Sequence, residues 1–250
     1  MAASSSARGA RRSPARAERD RGPKGAAVRA GPDPGAASVI PHDLASTLAD
    51  RIVRLELAPS AHLTEDEVCA EFGVSRSPVR EVFRVLEGEG LVVRLARRGV
   101  RVAPMSRRDL DDLYACRAVL EGLAAREAAE QLDEEVAAAI QRLLAGMTQS
   151  LQGGDVDAFF ADNVALTRTI HLASRNPMLI RIVGGIEKQA LRYRYFAHVR
   201  SPAMLDVALA GQREICGAIL QRKPDLAQLR AETAIRRGHE AIARAMAAAS

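Results

Sequence analysis

The run Leu63–Gly90, LTEDEVCAEFGVSRSPVREVFRVLEGEG, constrains this chain more than any other stretch. Thr64 can cap a helix, and Glu67 three residues on completes a capping box, with Leu63 and Val68 at the staple positions around it. Gly73 closes that helix early. After a turn of about three residues a second helix opens, with Pro78 in its first turn, where a missing N–H costs little. Val79, Val82, Phe83 and Leu86 make one apolar face, and Arg76, Arg80 and Arg84 form a basic ridge beside it. Gly88 and Gly90 end the helix. A short helix, a tight turn and a longer helix with arginines near its start make a helix-turn-helix over about 65–84.

The flanks extend this unit. Leu44, Leu48, Ile52 and Leu55 recur at helical spacing and predict a helix over 42–56, broken by Pro59 and Ser60. Beyond the helix-turn-helix, Val93/Leu95 and Val100/Val102 alternate with Arg94 and Arg101, a period of two, and Gly99 can supply the bend after Arg97 and Arg98. This predicts a two-stranded wing over 91–104. From Ser106 onward the pattern is helical. Ser106 caps a run to about Gln131; Asp133, Asp155 and Pro202 begin further segments, Gly153, Gly154 and Pro177 separate others, and Pro224 starts the last. The fold class is therefore mainly α. A winged helix-turn-helix at 39–106 precedes an all-α bundle of six or seven helices at 107–250.

Residues 1–38 are rich in Ala, Gly, Pro, Ser and Arg and hold eight Arg/Lys against three acids. They cannot bury enough apolar surface to offset their ordering entropy and read as a disordered basic tail. The tail is either an arm that tracks phosphates or a plain solvated extension. It also carries the whole net charge of +5, because residues 39–250 hold 28 bases and 28 acids. Net charge is thus no argument for nucleic-acid binding by the body, but its distribution is. Residues 75–108 hold nine Arg and three acids, whereas residues 39–74 hold two Arg and seven acids. The basic surface is confined to the second helix and the wing.

A helix of this kind fits the major groove and reads base edges from its first residues. Arg can bond both acceptors of guanine, and Ser hydroxyls and free N–H groups at a helix start hold phosphate. Ser75, Arg76, Ser77 and Arg80 supply these groups; Thr64 and Arg84 flank them, and Arg98 and Gly99 stand at the wing tip. Double-stranded operator DNA is the expected partner. For each single arginine the plainer alternative is a solvated face paired with Glu81, Glu87 and Glu89.

Other classes are excluded or disfavoured. The longest stretch without Asp, Glu, Lys or Arg is Leu143–Gly154, too short to span a bilayer, and the N-terminus lacks an apolar signal-peptide core. Cys69, Cys116 and Cys216 lie far apart with no CxxC pair, which fits reduced thiols in a cytoplasm and offers no zinc site. There is no GxSxG, P-loop, HExxH or Gly-rich dinucleotide turn, and five scattered histidines suggest no triad, so an enzyme is not expected. Without Trp, base-stacking platforms are not expected either.

Residues 42–104 resemble the winged helix of GntR-type bacterial transcription regulators, through L-T-E-D-E-V, G-V-S-R-S-P-V-R-E and R-R-G-V-R-V. The resemblance implies base and phosphate contacts from Ser75, Arg76, Ser77 and Arg80 and a wing-tip contact from Gly99. In the fatty-acid-responsive branch an Arg on the second helix also reads DNA; that place here is Asp66, so the contact is not carried over. The helical half resembles the FadR-like, FCD-type C-terminal domain, which binds small effectors and dimerises. The matching runs are DLYACRAVLEGLAAREAAEQL and HLASRNPML.

Many such domains hold a divalent metal with an Asp, a His four residues on and two later histidines. Here those places fall on Asn163, Thr167, Gln212 and, past an insertion near Lys223, Arg236. Neutral amides, a hydroxyl and a guanidinium do not replace ligands of transition metals, so no metal or other cofactor is expected. A site rebuilt from His171 and His239 is the alternative. The same positions suit a metal-free polar pocket. Asn163, Thr167 and His171 share a helix face, and Gln212 lies among apolar residues. Arg117 sits on the stripe of Leu110, Leu113, Leu120 and Ala124, where a charge needs a partner. It either pairs with Glu121 one turn on or clamps a carboxylate. The expected function is a homodimeric repressor gated by a small organic acid at Arg117, Asn163, Thr167, His171, Gln212 and Arg236. The alternatives are a ligand-gated activator and a constitutive DNA binder with a degenerate pocket.

Overall fold

The computed structural model describes residues 39–95 and 99–249. The basic tail (1–38) and the wing-tip residues Arg97 and Arg98 lie outside the described residues. Helix α1 (Val39–Val53) buries Leu44, Leu48 and Ile52 against the apolar face of α3. It stops short of the expected residue 56 because Leu55 takes φ +61°, where an L-residue cannot continue a right-handed helix.

Helix α2 (Glu65–Phe72) begins with the expected capping box. The Thr64 hydroxyl accepts from the Glu67 N–H, and the Glu67 carboxylate accepts from the Thr64 N–H at 2.8 Å. Such a cap stabilises a helix by about 1 kcal/mol. Leu63 and Val68 are both buried beside it. Gly73, at φ +65°, ends α2, and α3 (Arg76–Gly88) follows with Val79, Val82, Phe83 and Leu86 buried. Strands β2 (Val92–Leu95) and β3 (Gly99–Val102) form the wing, antiparallel, with Val92 opposite Val102. The ribbon gains a third strand, β1 (His62–Leu63), giving the order β1-β3-β2.

Six helices follow: α4 (Arg107–Glu130), α5 (Glu134–Gly153), α6 (Val156–Ala173), α7 (Pro177–Arg200), α8 (Pro202–Leu220) and α9 (Pro224–Ala247). Ser106, Asp133, Asp155 and Asn176 each accept a backbone N–H as N-caps, and α7, α8 and α9 each have Pro in the first turn. Small residues on α4 (Ala125, Ala128, Ala129) and α9 (Ala227, Ala231) join a core with Ile140, Met147, Phe159 and Leu166. Among the described residues no helix is long and apolar enough to cross a membrane.

Helix α7 joins the two halves. Lys188 pairs with Glu89 at 2.5 Å, and Gln189 donates to the Glu89 carbonyl. Arg192 donates to the Ala103 carbonyl at 2.9 Å, and Tyr193 donates to that of Ser106. On the other side Arg54 of α1 pairs with Asp157 of α6 at 2.7 Å.

Gly99 shows why the wing needs glycine. Its φ is +85°, and an added Cβ would lie 2.3 Å from the Leu63 carbonyl oxygen. Gly99→Ala should therefore destabilise the chain by about 1–3 kcal/mol through strain and the parting of β1 from β3. Urea unfolding would show a lower midpoint, and an unchanged midpoint would refute the steric account.

Candidate functional site

Two sites emerge, one on the winged half and one inside the bundle. On the first, Ser75, Arg76, Ser77, Arg80 and Arg84 are all exposed along α3, opposite its buried face. Ser75 occupies the N-cap position, yet its hydroxyl makes no capping bond. A groove of about 740 Å³ lies between α2, α3 and the wing, with Arg76, Arg80, Arg94 and Gly99 on its walls. Thr64 also lines it, but its hydroxyl is spent on Glu67. Those hydrogen bonds hold the Glu67 carboxyl below its ordinary range. Arg98 lies outside the described residues.

The pairing of these arginines differs from the plain expectation. Arg84 does pair with Glu81, and Arg94 pairs with Glu87. Arg76 and Arg80 instead reach back to α2, to Asp66 and Glu65. Glu89 is taken by Lys188.

The second site is a cavity of about 90 Å³ enclosed by α4, α6, α7, α8 and α9. Arg117, Asn163, Thr167, His171 and Gln212 all line it, so residues distant in sequence meet at one place. Arg117 is 4% exposed and makes the expected pair with Glu121 one turn on. Its Nε donates to Glu121 at 2.7 Å, and its guanidinium lies 4.5 Å from the centre of the Tyr114 ring. Burial alone would raise the Glu121 carboxyl, but Arg117, His171 and Arg194 outweigh it and hold it low. The Gln212 amide donates to Asn163 Oδ1 at 3.0 Å and to the Thr167 hydroxyl at 3.1 Å, and Thr167 donates onward to the Asn163 carbonyl.

This set does not fit a divalent metal. The amide N–H₂ of Gln212 points at the side chains of Asn163 and Thr167, and a donor N–H has no lone pair to give. No group of three His, Cys, Asp or Glu suited to a metal occurs among the described residues. His239 does not rebuild one with His171. It stands off the cavity and pairs with Asp111.

Arg236 is corrected by the structure. It is 61% exposed, pairs with Glu232 and does not line the cavity. Helix α9 turns Ala231, Ala234, Ile235, Gly238 and Ile242 to that wall instead. The insertion near Lys223 put the count on the wrong side of the helix. Conversely, Tyr114, Glu121, Arg194 and His198 line the cavity and were not expected there. Arg194 and His198 lie four apart on α7, a spacing visible in the sequence but masked by the mixed run RYRYF.

The cavity carries two guanidiniums, Arg117 and Arg194, against one carboxylate, Glu121. Among the described residues Arg194 has no hydrogen-bond or ion-pair partner. Arg117 Nη1, His171 Nε2, His198 Nδ1 and Gln212 Oε1 are buried without hydrogen bonds. Burial keeps His171 below its ordinary range although Glu121 pulls the other way. Burial first, and then Arg194, push His198 down to about 3. The His198 ring packs edge-on against Phe159 and Phe160.

Comparison with known proteins identifies the two halves. Residues 42–102 match the profile of the bacterial regulatory proteins of the gntR family, and residues 112–237 match that of the FCD domain. The chain is 32% identical over 192 residues to a probable D-xylose utilization operon transcriptional repressor of Paenarthrobacter nicotinovorans, covering 74% of this chain and 82% of that one. It is 29% identical over 178 residues to the HTH-type transcriptional repressor RspR of Escherichia coli, covering 70% and 76%. The solved structure of E. coli McbR/YncC superposes with a TM-score of 0.73 at 19% identity, over 82% of this chain and 97% of that one.

The depressed pKa of His198 sets an acid sensitivity. Between about pH 6.5 and about pH 3 the unfolded chain binds a proton that the folded chain refuses, so stability falls as pH falls through that window. From pH 6.5 to 5 the loss from this one group is about 2 kcal/mol. His198→Asn should lose that much less than the parent on acidification. Equal pH dependence of the two urea midpoints would rule the effect out.

Proposed function

The chain belongs to the gntR family of bacterial regulatory proteins and is a DNA-binding transcription regulator, and from that premise we propose that it is a cytoplasmic, homodimeric repressor gated by a small carboxylate. In this reading residues 39–106 bind DNA, and residues 107–250 bind the effector and dimerise. Two copies present their α3 helices to half-sites about one helical turn apart. Arg76 and Arg80 read base edges, Ser75, Ser77 and Arg84 hold phosphates, and Arg98 and Gly99 carry the wing contact. Relatives named as repressors support the direction of control.

The observation that carries the effector is the charge and hydrogen-bond deficit of the cavity. Two guanidiniums face one carboxylate, and four buried polar atoms lack partners. Buried groups of this kind are costly unless satisfied. A carboxylate bonded to Arg117 and Arg194 would offset the second guanidinium and give Arg117 Nη1 the acceptor it lacks. The cavity is small, so the effector is compact or the bundle loosens to admit it.

Helix α7 supplies the coupling. Its Arg194 and His198 line the cavity, and two to ten residues earlier its Lys188, Gln189 and Arg192 hold Glu89 at the end of α3 and Ala103 after β3. An effector that draws on Arg194 acts on the helix that positions the reading head. It changes DNA affinity only by binding the two arrangements differently, with a coupling of about 1–3 kcal/mol.

Thermal melting against small carboxylates tests the site. A ligand at 100 times its Kd adds about 2.7 kcal/mol to stability. Arg117→Ala and Arg194→Gln should each abolish the shift. A shift that survives both, or none with any carboxylate, would overturn the gated reading, the latter favouring a constitutive DNA binder. Joint Lys188→Ala and Gln189→Ala should keep the melting shift while removing the ligand's effect on DNA affinity.

A further inference from the structure

The acids of α2 face the reading arginines of α3. Arg76 donates Nε–H to Asp66 Oδ1 at 2.9 Å and Nη2–H to Asp66 Oδ2 at 3.2 Å. Arg80 donates Nε–H to both oxygens of Glu65, at 3.0 and 2.9 Å. All four residues line the groove between α3 and the wing. The Arg76–Asp66 pair is open to water, at 62% and 72% exposure. Exposed pairs of that kind contribute little to folding. The α2–α3 packing itself rests on Val68 against Val79, Val82 and Phe83. The pair therefore adds little to the packing of α2 on α3.

The geometry fits a recognition task. A guanidinium has five N–H groups in a rigid fork. Asp66 occupies Nε–H and one N–H of Nη2, which is the side edge of the Arg76 fork. The end edge, with one N–H of Nη1 and the second of Nη2, stays open. That edge matches the O6 and N7 acceptors of guanine. A flexible arginine must be ordered before it can make both bonds, and that ordering opposes binding. An arginine already held by a carboxylate in the right plane has less freedom left to lose. The carboxylate also cancels the local charge, so the pair attracts phosphate less than a lone arginine would.

We propose that Asp66 is a specificity-determining positioning residue: it buttresses Arg76 through one edge of the guanidinium so that the other edge reads a guanine. Glu65 holds Arg80 in the same way through Nε. The proposal rests on the reading of Arg76 as a base-contacting residue.

The test begins with selection of a preferred duplex from a randomised pool by the parent protein. Binding of that duplex and of a scrambled one is then measured at several salt concentrations. The proteins are the parent, Asp66→Asn, Arg76→Ala and the double variant, and equal melting temperatures confirm that each is folded. Asp66→Asn should weaken the selected duplex about tenfold and leave the scrambled duplex unchanged or tighter. It should relax the same base position that Arg76→Ala relaxes, and the double variant should be no worse than Arg76→Ala. Arg76, released to a phosphate, should steepen the salt dependence of Asp66→Asn by about one unit of slope. Two results overturn the proposal while Arg76 keeps its role. In one, Asp66→Asn leaves the selected-to-scrambled ratio intact. In the other, it tightens the selected duplex more than the scrambled one, which would make Asp66 a competitor of DNA. If Arg76→Ala itself leaves the ratio unchanged, base reading by Arg76 fails and the buttress with it.

Discussion

The bundle is organised around a charge it does not balance. Arg117 and Glu121 bond to each other one turn apart on α4, and that pair is self-sufficient in charge. Arg194 then enters the same space from α7 with no carboxylate bonded to it, Glu121 and Glu187 acting on it only through space. Burial and the neighbouring Arg117 both press its pKa down. A chain selected for stability alone would place an apolar side chain there, because replacing buried charge by well-packed apolar groups is often neutral or stabilising. The apolar core of α5, α6, α8 and α9 beside the cavity carries the fold while this site stays unsatisfied. Local rules broken inside an otherwise consistent fold mark function.

The same helix that brings in Arg194 meets the winged half through polar contacts. Arg192 is buried and loses part of its basicity, first through burial, yet it donates to one backbone carbonyl after β3. Glu89 Oε2 and Arg192 Nε are buried there without partners. A fully satisfied junction would be rigid. One with spare donors and acceptors has alternative pairings close in energy, which suits an element with two arrangements. The cavity and the junction are thus linked by one rigid helix of about 36 Å, rather than by a chain of loose side chains.

Much of this was legible in the sequence because it rests on local chemistry. The capping box at Thr64, the caps at Ser106, Asp133 and Asp155, and the prolines in the first turns of α7, α8 and α9 are short-range signals, and the elements begin where they stand. The meeting of Asn163, Thr167 and Gln212 followed from the resemblance to the FCD-type domain, with helical spacing and apolar surroundings agreeing. What escaped depends on partners far away in sequence. Strand β1 is two residues long, too short for any period, and exists only because β3 offers it an edge. Leu55 shares the spacing of the apolar face of α1, but the turn that follows forces its positive φ. Arg236 was placed by counting across an insertion, and a helix side is lost within two residues of error. Arg194 and His198 carried no signal that α7 would turn them inward, since its sequence has no clean apolar stripe.

Charge gave the subtlest lesson. In the sequence, bases and acids separate cleanly, with residues 75–108 strongly basic and residues 39–74 strongly acidic. That suggested a basic surface confined to α3 and the wing, any pairing coming from Glu81, Glu87 and Glu89. In space the two sets meet, since the acidic first turn of α2 lies against the basic first turn of α3. The first turn of α2 is also where carboxylates favour the helix dipole, so the acids serve α2 while they hold the arginines. The consequence is an interface with less long-range attraction to any phosphate backbone than its arginine count implies. Non-specific affinity scales with the phosphates neutralised, while discrimination between sequences depends on how well each fork is aimed. An arginine that is neutralised and aimed by the same carboxylate gives up the first quantity to gain the second. For a regulator that must find one site among many, the ratio of the two affinities decides occupancy rather than either alone.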